Sequence, residues 1–444
     1  MTLRLGTSKV DITPNIPVEL AGFAHREGVY CEINTPLYLK TFYFEKSVSP
    51  TEKKTIILIT ADLIWWDGDK CAISEKSIGE AFDLKDFNIV FHATHNHSGP
   101  QTNPSFTKLL GTINSDYIEF LYDQIIEAIK IARQNVEPIK LEKGSTNCKI
   151  GINRRLKFNN EIKMAPNDNG VVDPQVIILL IKNLSGKIKG VLIHYACHPT
   201  TTGENFVSSE FPGIAADKIE QSLGDQVIAG YLQGCCADIR PALVDKKNNK
   251  FYRGEHTDVK RLGNHLADCV LNAIQEQEFI KIESDRLIIR HKAIPLTFKN
   301  IPSISYLKNM EGTIRQDPQL EWCSYLLKNE SKLKSEVTLE LTFVEFGREL
   351  SFLAMNAEMV VEYGLLVKKE FSNCVLPIPY SNGMIGYIPT ARQIEEGGYE
   401  ANESIYYFGL PSQFSMCIED NISQGIRDLI MEGECKNVNF PSSS

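Results

Sequence analysis

One segment organises this chain: Asn88-Ile-Val-Phe-His-Ala-Thr-His-Asn-His-Ser-Gly-Pro-Gln-Thr102. Its first half is an apolar, β-branched run typical of a buried strand, and Ser98-Gly-Pro100 ends that run. Side chains alternate between the two faces of an extended backbone, so we expect His95 and His97 to share a face at the end of the strand. Loops at strand ends are where α/β enzymes usually build their sites. Two neighbouring imidazoles suit a divalent metal, and a hydrogen-bonded surface pair is the alternative.

The composition restricts the class of protein. A chain of 444 residues with 43% hydrophobic and 23% charged residues is typical of a globular protein with a large core. Its net charge of -9 argues against a nucleic-acid-binding surface and gives no support for docking on anionic membranes. No apolar run reaches the roughly 20 residues that span a bilayer, and the N-terminus lacks the apolar core of a signal peptide. We therefore expect neither nucleic-acid binding nor stable membrane insertion.

The cysteines indicate the redox compartment. The chain has eleven, an odd number without paired spacing, and Cys235 and Cys236 are adjacent. This pattern is typical of reduced thiols and not of a disulfide framework. The sequence therefore predicts a cytoplasmic protein.

Apolar strands alternate with amphipathic helices over about the first 280 residues. The predicted strands cover residues 54–63, 88–94, 175–182, 189–195 and 226–232. Three helices are predicted: one capped by Ser115, one from Phe211 to about Ser222, and one from His256 to about Gln277.

The C-terminal part has a different pattern of apolar and charged residues. Residues 282–298 alternate like an exposed strand, residues 311–334 are charged and helical in pattern, and a hairpin is expected around Gly347. This part is either a separate lobe or a continuation of the same sheet. We predict an α/β (α+β layered) fold with mixed β-sheets flanked by helices, in one large domain.

A second histidine pair lies in Val-Leu-Ile-His194-Tyr-Ala-Cys-His198-Pro-Thr-Thr-Thr202. His198 stands where a strand gives way to polar residues, which is also the setting of His95. His194 lies inside the apolar run and is better explained as a core histidine. His198 is therefore the better ligand candidate.

Further polar residues follow apolar segments or turns. Asp238 and Arg240 stand directly after a strand, where they either position substrate or close the turn as a pair. Arg154 follows a Gly-Ile-Asn turn, and its guanidinium suits an anion or carbonyl clamp, although surface arginines are the more frequent explanation. Glu358 ends an apolar strand and Tyr387 follows a glycine-rich stretch. Taken singly, Glu358 is most simply explained as a solvated charge at a strand end, and Tyr387 as a packing residue.

Taken together, these segments resemble the catalytic domain of the neutral ceramidase family, zinc-dependent amidases that split the N-acyl bond of ceramide. The matching motifs, in chain order, are Thr94-His95-Asn-His97-Ser-Gly-Pro100, Asn153-Arg154, His198-Pro-Thr200, Gln233-Gly234 with Asp238-Ile-Arg-Pro241, Asn356-Ala-Glu358, and Gly386-Tyr387-Ile-Pro-Thr390. Each motif alone is weak, but their shared order over about residues 5–420 is specific. The resemblance implies one zinc hydrolase domain over residues 1–435, and we expect residues 436–444 to form a disordered tail.

The resemblance also implies a set of site residues. The implied zinc ligands are His95, His198, Glu358 and Tyr387. His97 and Arg154 would contact the polar head of the substrate or stabilise the developing oxyanion. We assign substrate recognition or water orientation to Asp238 and Arg240. Such a mixed N/O set leaves room for water, whose pKa bound zinc lowers to roughly 7.

Two departures from the family bear on the substrate. The family places a serine at the position of Arg240, so acylation of that serine is excluded here. The added positive charge suits an acidic or heavily hydroxylated substrate better than a neutral sphingoid. The chain also has no room for the C-terminal immunoglobulin-like domain of ceramidases, so neither secretion nor lipid-surface binding is assumed.

We therefore predict a zinc-dependent hydrolase that uses metal-activated water on the N-acyl or N-acetyl amide bond of a polar, sugar-like or acidic small molecule. A true ceramidase is one alternative, and an esterase, lactonase or carbohydrate O-deacetylase with the same metal is another. The third is a non-catalytic metal-binding homologue, which the absent serine supports and the retained ligands oppose. A homo-oligomer is compatible with the sequence.

Overall fold

The computed structural model describes residues 2–49, 52–224, 226–313 and 317–432. The strands are β1 (Arg4–Asp11), β2 (Glu32–Ile33), β3 (Tyr38–Ser47), β4 (Lys53–Ala61), β5 (Asp86–Ala93), β6 (Glu137–Asn147), β7 (Gly151–Phe158), β8 (Glu161–Asn167), β9 (Gln175–Asn183), β10 (Ile188–Tyr195), β11 (Phe206–Val207), β12 (Ile228–Gln233), β13 (Ile239–Pro241), β14 (Val244–Asp245), β15 (Lys250–Phe251), β16 (Ile280–Ile282), β17 (Ile288–Thr297), β18 (Glu336–Gly347), β19 (Leu350–Met355), β20 (Glu358–Met359), β21 (Val375–Ile378) and β22 (Tyr387–Ile388). The helices are α1 (Gly68–Ala81), α2 (Ser115–Gln134), α3 (Glu210–Leu223), α4 (His256–Glu276), α5 (Ile304–Thr313), α6 (Asp317–Lys328), α7 (Val361–Glu370), α8 (Ala391–Glu396), α9 (Ser404–Phe408) and α10 (Ile418–Met431). The predicted tail and the last residues of the predicted domain lie outside the described residues.

The larger sheet has nine strands, in the order β12-β10-β9-β6-β1-β3-β4-β5, with β16 also paired to β6. Its outermost pairs, β10 with β12 and β4 with β5, are parallel, and the pairs between them are antiparallel. Parallel neighbours need a crossover connection, and helices α1 and α3 supply one for each pair. The sheet therefore carries a crossover unit at each end.

The two ends of this sheet meet. Thr60 Oγ1 on β4 donates to the Tyr231 carbonyl on β12 over 2.6 Å. The backbone N–H of Gln233, also on β12, donates to Nε2 of His92 on β5 over 2.8 Å. Strand β12 therefore lies beside β4 and β5, although they stand at opposite ends of the strand order. This curling brings the loops that follow β5 and β10 together.

A second sheet, ordered β17-β18-β19-β21, packs face to face on the first. Phe44 of β3 meets Phe346 of β18 between the sheets, with ring centroids 4.8 Å apart. Tyr43 directly precedes Phe44 on β3, so its side chain points to the opposite face of the large sheet and belongs to the core on that side. Helices α2, α3 and α4 cover that side of the large sheet, and α7 and α10 cover the small one. The C-terminal part is thus neither a separate lobe nor an extension of the first sheet.

The predicted layered class, with mixed sheets and flanking helices, is confirmed, and one predicted cap is wrong. The N-cap of α2 is Asn114 and not Ser115, because the Asn114 side chain accepts from the N–H groups of Asp116 and Tyr117 over 3.0 and 3.1 Å. In the described part of the chain, no helix combines the length and apolarity needed to cross a bilayer.

Replacing Phe42 with Ala is expected to lower the free energy of unfolding by about 3–5 kcal/mol. Phe42 is 0% exposed between the sheets, and Cβ atoms added at Gly190 and Gly230 would lie 3.1 and 2.7 Å from its ring. Urea-induced unfolding measures the change. The matched control is Phe158→Ala, since that side chain is 52% exposed. Equal losses in the two variants would contradict the packing described here.

Candidate metal centre

The loop after β5 carries the first two histidines of the site. The strand ends at Ala93 and His95 has a φ of +62°, so the extended alternation stops before either histidine. The N–H of Thr94 donates to the Ala61 carbonyl over 2.9 Å and fixes the start of the loop. The Nε2 atoms of His95 and His97 nevertheless lie 3.2 Å apart. Their predicted proximity is confirmed, but the expected cause, a shared strand face, is wrong.

Three donor atoms form a nearly equilateral triangle. His95 Nε2 lies 3.1 Å from His198 Nε2. Oε2 of Glu358 lies 3.2 Å from His95 Nε2 and 3.4 Å from His198 Nε2. A tetrahedral zinc ion with bonds of about 2.0–2.1 Å places its ligand atoms about 3.3–3.4 Å apart. The triangle therefore has the size of one face of a zinc coordination sphere.

Backbone carbonyls fix which ring nitrogen carries hydrogen. Nδ1–H of His95 donates to the Ile64 carbonyl over 2.9 Å. Nδ1–H of His198 donates to the Cys236 carbonyl over 2.7 Å and also lies 3.1 Å from the Ile239 carbonyl. A carbonyl only accepts, so Nε2 of each neutral ring carries the lone pair. Burial lowers the pKa of His198 to about 4, which keeps that ring neutral near pH 7. The triangle thus points lone pairs at one another, an arrangement that a cation stabilises.

Glu358 supplies the negative charge of the triangle. Burial alone would raise its pKa, but the adjacent imidazoles of His95 and His198 hold the pKa well below its ordinary range. Within the described chain, no hydrogen bond reaches Oε2 of Glu358. Strand β20 pairs in parallel with β22, which sets Glu358 opposite Tyr387. A carboxylate and a phenol that are distant in sequence therefore stand side by side.

Arg154 reaches the same place from β7. Its Nε donates to Oε1 of Glu400 over 2.8 Å, and its guanidinium carbon lies 5.6 Å from the centre of the Tyr387 ring. Nη2 of Arg154 is buried and has no hydrogen-bond partner in the described part of the protein. Glu400 therefore orients a guanidinium that keeps one donor for a ligand.

His97 stands between the triangle and a cavity. Its Nε2 lies against His95, and the described residues show no comparably short contact from it to Glu358. Burial lowers the pKa of His97 well below its usual value, so the ring is neutral near pH 7. Gly22, with a φ of +95°, makes room for this ring, since an added Cβ would lie 2.4 Å from Nδ1. This placement supports the predicted role of His97 toward substrate.

The cavity beside the triangle has a volume of 410 Å³. Its basic and aromatic lining residues are Phe23, His25, His97, Arg154, Arg240, Phe251, Tyr252, Arg253, Tyr387, Tyr399 and Tyr407. The Arg240 guanidinium rests 4.6 Å from the centre of the Phe251 ring, and no carboxylate within the described residues pairs with it. No Asp or Glu of the described chain lines this cavity. The wall is therefore positively charged.

Asp238 points elsewhere. Its Oδ1 accepts from the N–H of Val361 over 2.8 Å, and its Oδ2 accepts from Asn153 and Gln393 over 3.3 and 3.2 Å. These bonds join β7, α7 and α8, and Asp238 lines a second cavity, to which Asn153 and Gln393 also contribute. The hydrogen bonds of Asp238 give it a positioning role between these elements, and its predicted part in substrate recognition or water orientation stays a prediction.

Two residues of the site received no role from the sequence. The Tyr380 ring stacks on His95 with centroids 4.1 Å apart, and the Tyr380 carbonyl accepts from the N–H of Ala93 over 3.0 Å. Glu400 binds Arg155 as well as Arg154, with 2.6 Å between Oε2 and Nη1 of Arg155. In the sequence, only the position of Glu400 shortly after Gly397 and Gly398 indicates a functional loop, and no local pattern indicates a role for Tyr380.

The family model described as neutral/alkaline non-lysosomal ceramidase, N-terminal, matches residues 3–265, which is more than half of the chain. The chain belongs to this family. The neutral ceramidase of Pseudomonas aeruginosa is 22% identical over 297 residues, which cover 64% of this chain and 43% of that protein. The match therefore spans less than half of that relative's length.

Solved structures of ceramidases share the fold. The crystal structure of neutral ceramidase from Pseudomonas aeruginosa superposes with a TM-score of 0.76 at 18% identity, covering 100% of this chain and 76% of that one. A structure described as "Ceramidase complexed with C2" gives a TM-score of 0.75 at 17% identity, covering 100% of this chain and 77% of that one. The resemblance drawn from the motifs is thereby confirmed for family and fold.

His198→Ala is expected to remove about one equivalent of zinc per chain, because structural and catalytic zinc sites depend on every close ligand. Glu358→Gln, which keeps the shape and removes the charge, should act in the same direction. Elemental analysis after dialysis measures the loss. The control is His256→Ala, which removes a histidine at the start of α4, outside the triangle.

His97→Ala separates the two roles of the paired histidines. We expect this variant to keep the metal bound at the triangle and to lose most of the hydrolytic turnover proposed below, because His97 faces the cavity. Full zinc retention in His198→Ala would refute the assigned centre, whereas zinc loss in His97→Ala would add His97 to the ligands.

Proposed function

We propose that this chain is a zinc-dependent hydrolase that cleaves the N-acyl amide bond of a small molecule with an acidic or hydroxyl-rich polar end. One observation carries the metal: Nε2 of His95, Nε2 of His198 and Oε2 of Glu358 converge at 3.1–3.4 Å, while Nδ1 of each ring lies against a backbone carbonyl. Two imidazoles and one carboxylate are a common set of protein donors for catalytic zinc. Membership of the ceramidase family supports an amide as the bond cleaved.

In this proposal His95, His198 and Glu358 hold the ion, and Tyr387 is the fourth ligand that the family resemblance implies. Zinc, when bound, supplies a Lewis acid and a water whose pKa is roughly 7. The protein side chains supply orientation and charge. Arg154 is suited to the developing oxyanion because its orientation is set before any charge develops.

His97 would complete the oxyanion contact. Its ring lies in the cavity wall and is neutral near pH 7, so one nitrogen can donate a hydrogen bond to the carbonyl oxygen. Arg154 approaches the same space from β7, with Nη2 buried and unpaired in the described structure. The two donors are suited to hold the scissile carbonyl in place while the C–N bond breaks.

The charge of the cavity supports the class of substrate. Arg240 is mostly buried in the wall without an acidic partner among the described residues, and Arg253 stands nearby in the same lining. A guanidinium removed from water is costly unless a ligand pairs with it. Its planar donors suit a carboxylate, a phosphate or neighbouring hydroxyls. The cavity thus favours an anionic or hydroxylated group over a neutral one.

Hydrolysis of ceramide itself is the second candidate. Phe23, Phe251 and Tyr252 give the cavity an apolar side that suits an acyl or sphingoid chain. The Pseudomonas relative is named a neutral ceramidase. The two candidates share the metal and the bond and differ in what occupies the space beside Arg240.

The reduced thiols bear on the location. All cysteines of the described residues are free. Free thiols in this number fit a reducing compartment. We propose a cytoplasmic location, which fractionation of cells that produce the protein would test.

Turnover of a substrate panel tests the function. The zinc-loaded chain is offered N-acyl amino acids, N-acetyl amino sugars, short- and long-chain ceramides and the matching esters. We expect kcat/KM for an acidic or hydroxylated amide to exceed that for ceramide by at least about tenfold, with Glu358→Gln inactive as the control. Faster ceramide cleavage would select the second candidate, and faster ester cleavage would change the bond. No turnover of any substrate would favour a binding protein.

Arg240→Gln tests the charge of the cavity. We expect KM for an acidic substrate to rise about 10- to 100-fold, as for one lost hydrogen bond to a charged group, with kcat less affected. A neutral amide of the same acyl chain should be unaffected. The matched control is Arg348→Gln at an exposed position. Equal losses on acidic and neutral substrates would contradict charge recognition, and a gain of ceramide cleavage in Arg240→Ser would identify a specificity switch.

A further inference from the structure

A second group of metal-binding side chains lies apart from the histidine triangle. Cys148, His265 and Cys269 each offer one ligand atom, and these atoms all lie within 4.8 Å of one another. Cys148 follows β6, and the other two residues belong to α4. None of the three lines the cavity beside the triangle. We infer that this group binds a second, thiophilic divalent ion of the zinc class.

Rigid elements hold the three ligands. His265 and Cys269 are four residues apart on α4, a spacing that puts both side chains on one face of the helix. The backbone of Cys148 is fixed on both sides, since its N–H donates to the Pro174 carbonyl over 2.8 Å and its carbonyl accepts from the Tyr195 hydroxyl over 2.9 Å. The ligands are therefore positioned before any ion arrives.

The spacing suits two sulfurs and one nitrogen. Zinc bonds of about 2.3 Å to sulfur and about 2.0–2.1 Å to nitrogen separate neighbouring ligand atoms by roughly 3.4–3.8 Å. Small side-chain rotations within the observed 4.8 Å reach that geometry. Thiolate ligands select zinc and related soft ions over magnesium and calcium. A cluster of this composition therefore differs in chemistry from the histidine and carboxylate triangle.

The burial of the ligands is graded. Cys148 is buried, Cys269 is half-buried and His265 is exposed. His265 also has no hydrogen bond or ion pair to any other described residue, which leaves its ring nitrogens for an ion. The exposed side gives an ion access from solvent and leaves the remaining coordination position to water. Burial and the adjacent Cys269 raise the pKa of the Cys148 thiol.

Binding is then an exchange of protons for metal. Two S–H bonds break, two metal–sulfur bonds form, the His265 lone pair completes the protein ligands, and two protons leave to solvent. No oxidant or reductant takes part. The ion would join α4 to the segment that leads into β7, the strand that carries Arg154 to the cavity. Its role is therefore structural, and it does not depend on the proposed hydrolysis.

Cobalt substitution of the reduced full-length chain tests this site. Cobalt bound by thiolates gives a sulfur-to-metal charge-transfer band, which the triangle lacks the sulfur to produce. We expect the band in the wild-type chain and in His198→Ala, together with one zinc equivalent beyond that of the triangle. Cys269→Ser should abolish the band, and His265→Ala should lose that equivalent on dialysis. Both changes avoid the buried Cys148, and Cys417→Ser at an exposed cysteine is the matched control.

Four results would overturn the inference, and three of them concern the cysteine pair and His265. These three are the absence of the band in the reduced wild-type chain, an unchanged band in Cys269→Ser, and equal zinc contents in wild type and His265→Ala. Loss of the band in His198→Ala is a fourth such result, since the band would then depend on the triangle and not on the cysteine pair. A different result would refute the proposed hydrolysis, namely the absence of turnover in a chain that holds zinc at the triangle.

Discussion

The approach of His95 Nε2 to His198 Nε2, at 3.1 Å, is the contact on which the rest of the structure depends. One ring comes from the loop after β5, at one end of the strand order, and the other from the loop after β10, next to the opposite end, so the sheet must curl until its ends touch. The bonds from Thr60 to Tyr231 and from Gln233 to His92 hold the sheet in that shape. The curl is thus the structural condition for the metal centre.

The second sheet supplies what the first lacks. Glu358 follows β19, and its carboxylate closes the triangle with the negative charge that a divalent cation requires. Tyr380 belongs to the same C-terminal part, stacks on His95 and binds the end of β5 through its carbonyl. The centre therefore forms only when both sheets are packed, and its burial strengthens each electrostatic contact within it. Stability and chemistry depend on the same interface.

Family membership and the individual residues of this chain determine different properties of the protein. Membership of the neutral ceramidase family sets the fold and the class of reaction to be tested. Arg240 lines the cavity beside the triangle, and none of the described Asp and Glu residues lines that cavity. Asp238, two residues earlier, points to the other side and joins three elements through its hydrogen bonds. These two neighbours in one turn thus face different sides, Arg240 toward the cavity and Asp238 toward the elements that it joins.

The sequence by itself determined the strands with continuous apolar runs, the helix α4, and the polar residues at the strand ends. These features are local, and the order of the motifs sufficed to identify the family. Local patterns did not predict β3, because its buried Lys40 pairs with Glu220 from α3 and interrupts the apolar pattern. Only the tertiary structure decided that the strand stops before His95, that Asp238 and Arg240 diverge, and that Glu400 orients Arg154. Each of these depends on a backbone torsion or on a partner far away in sequence, and periodicity carries information about neither.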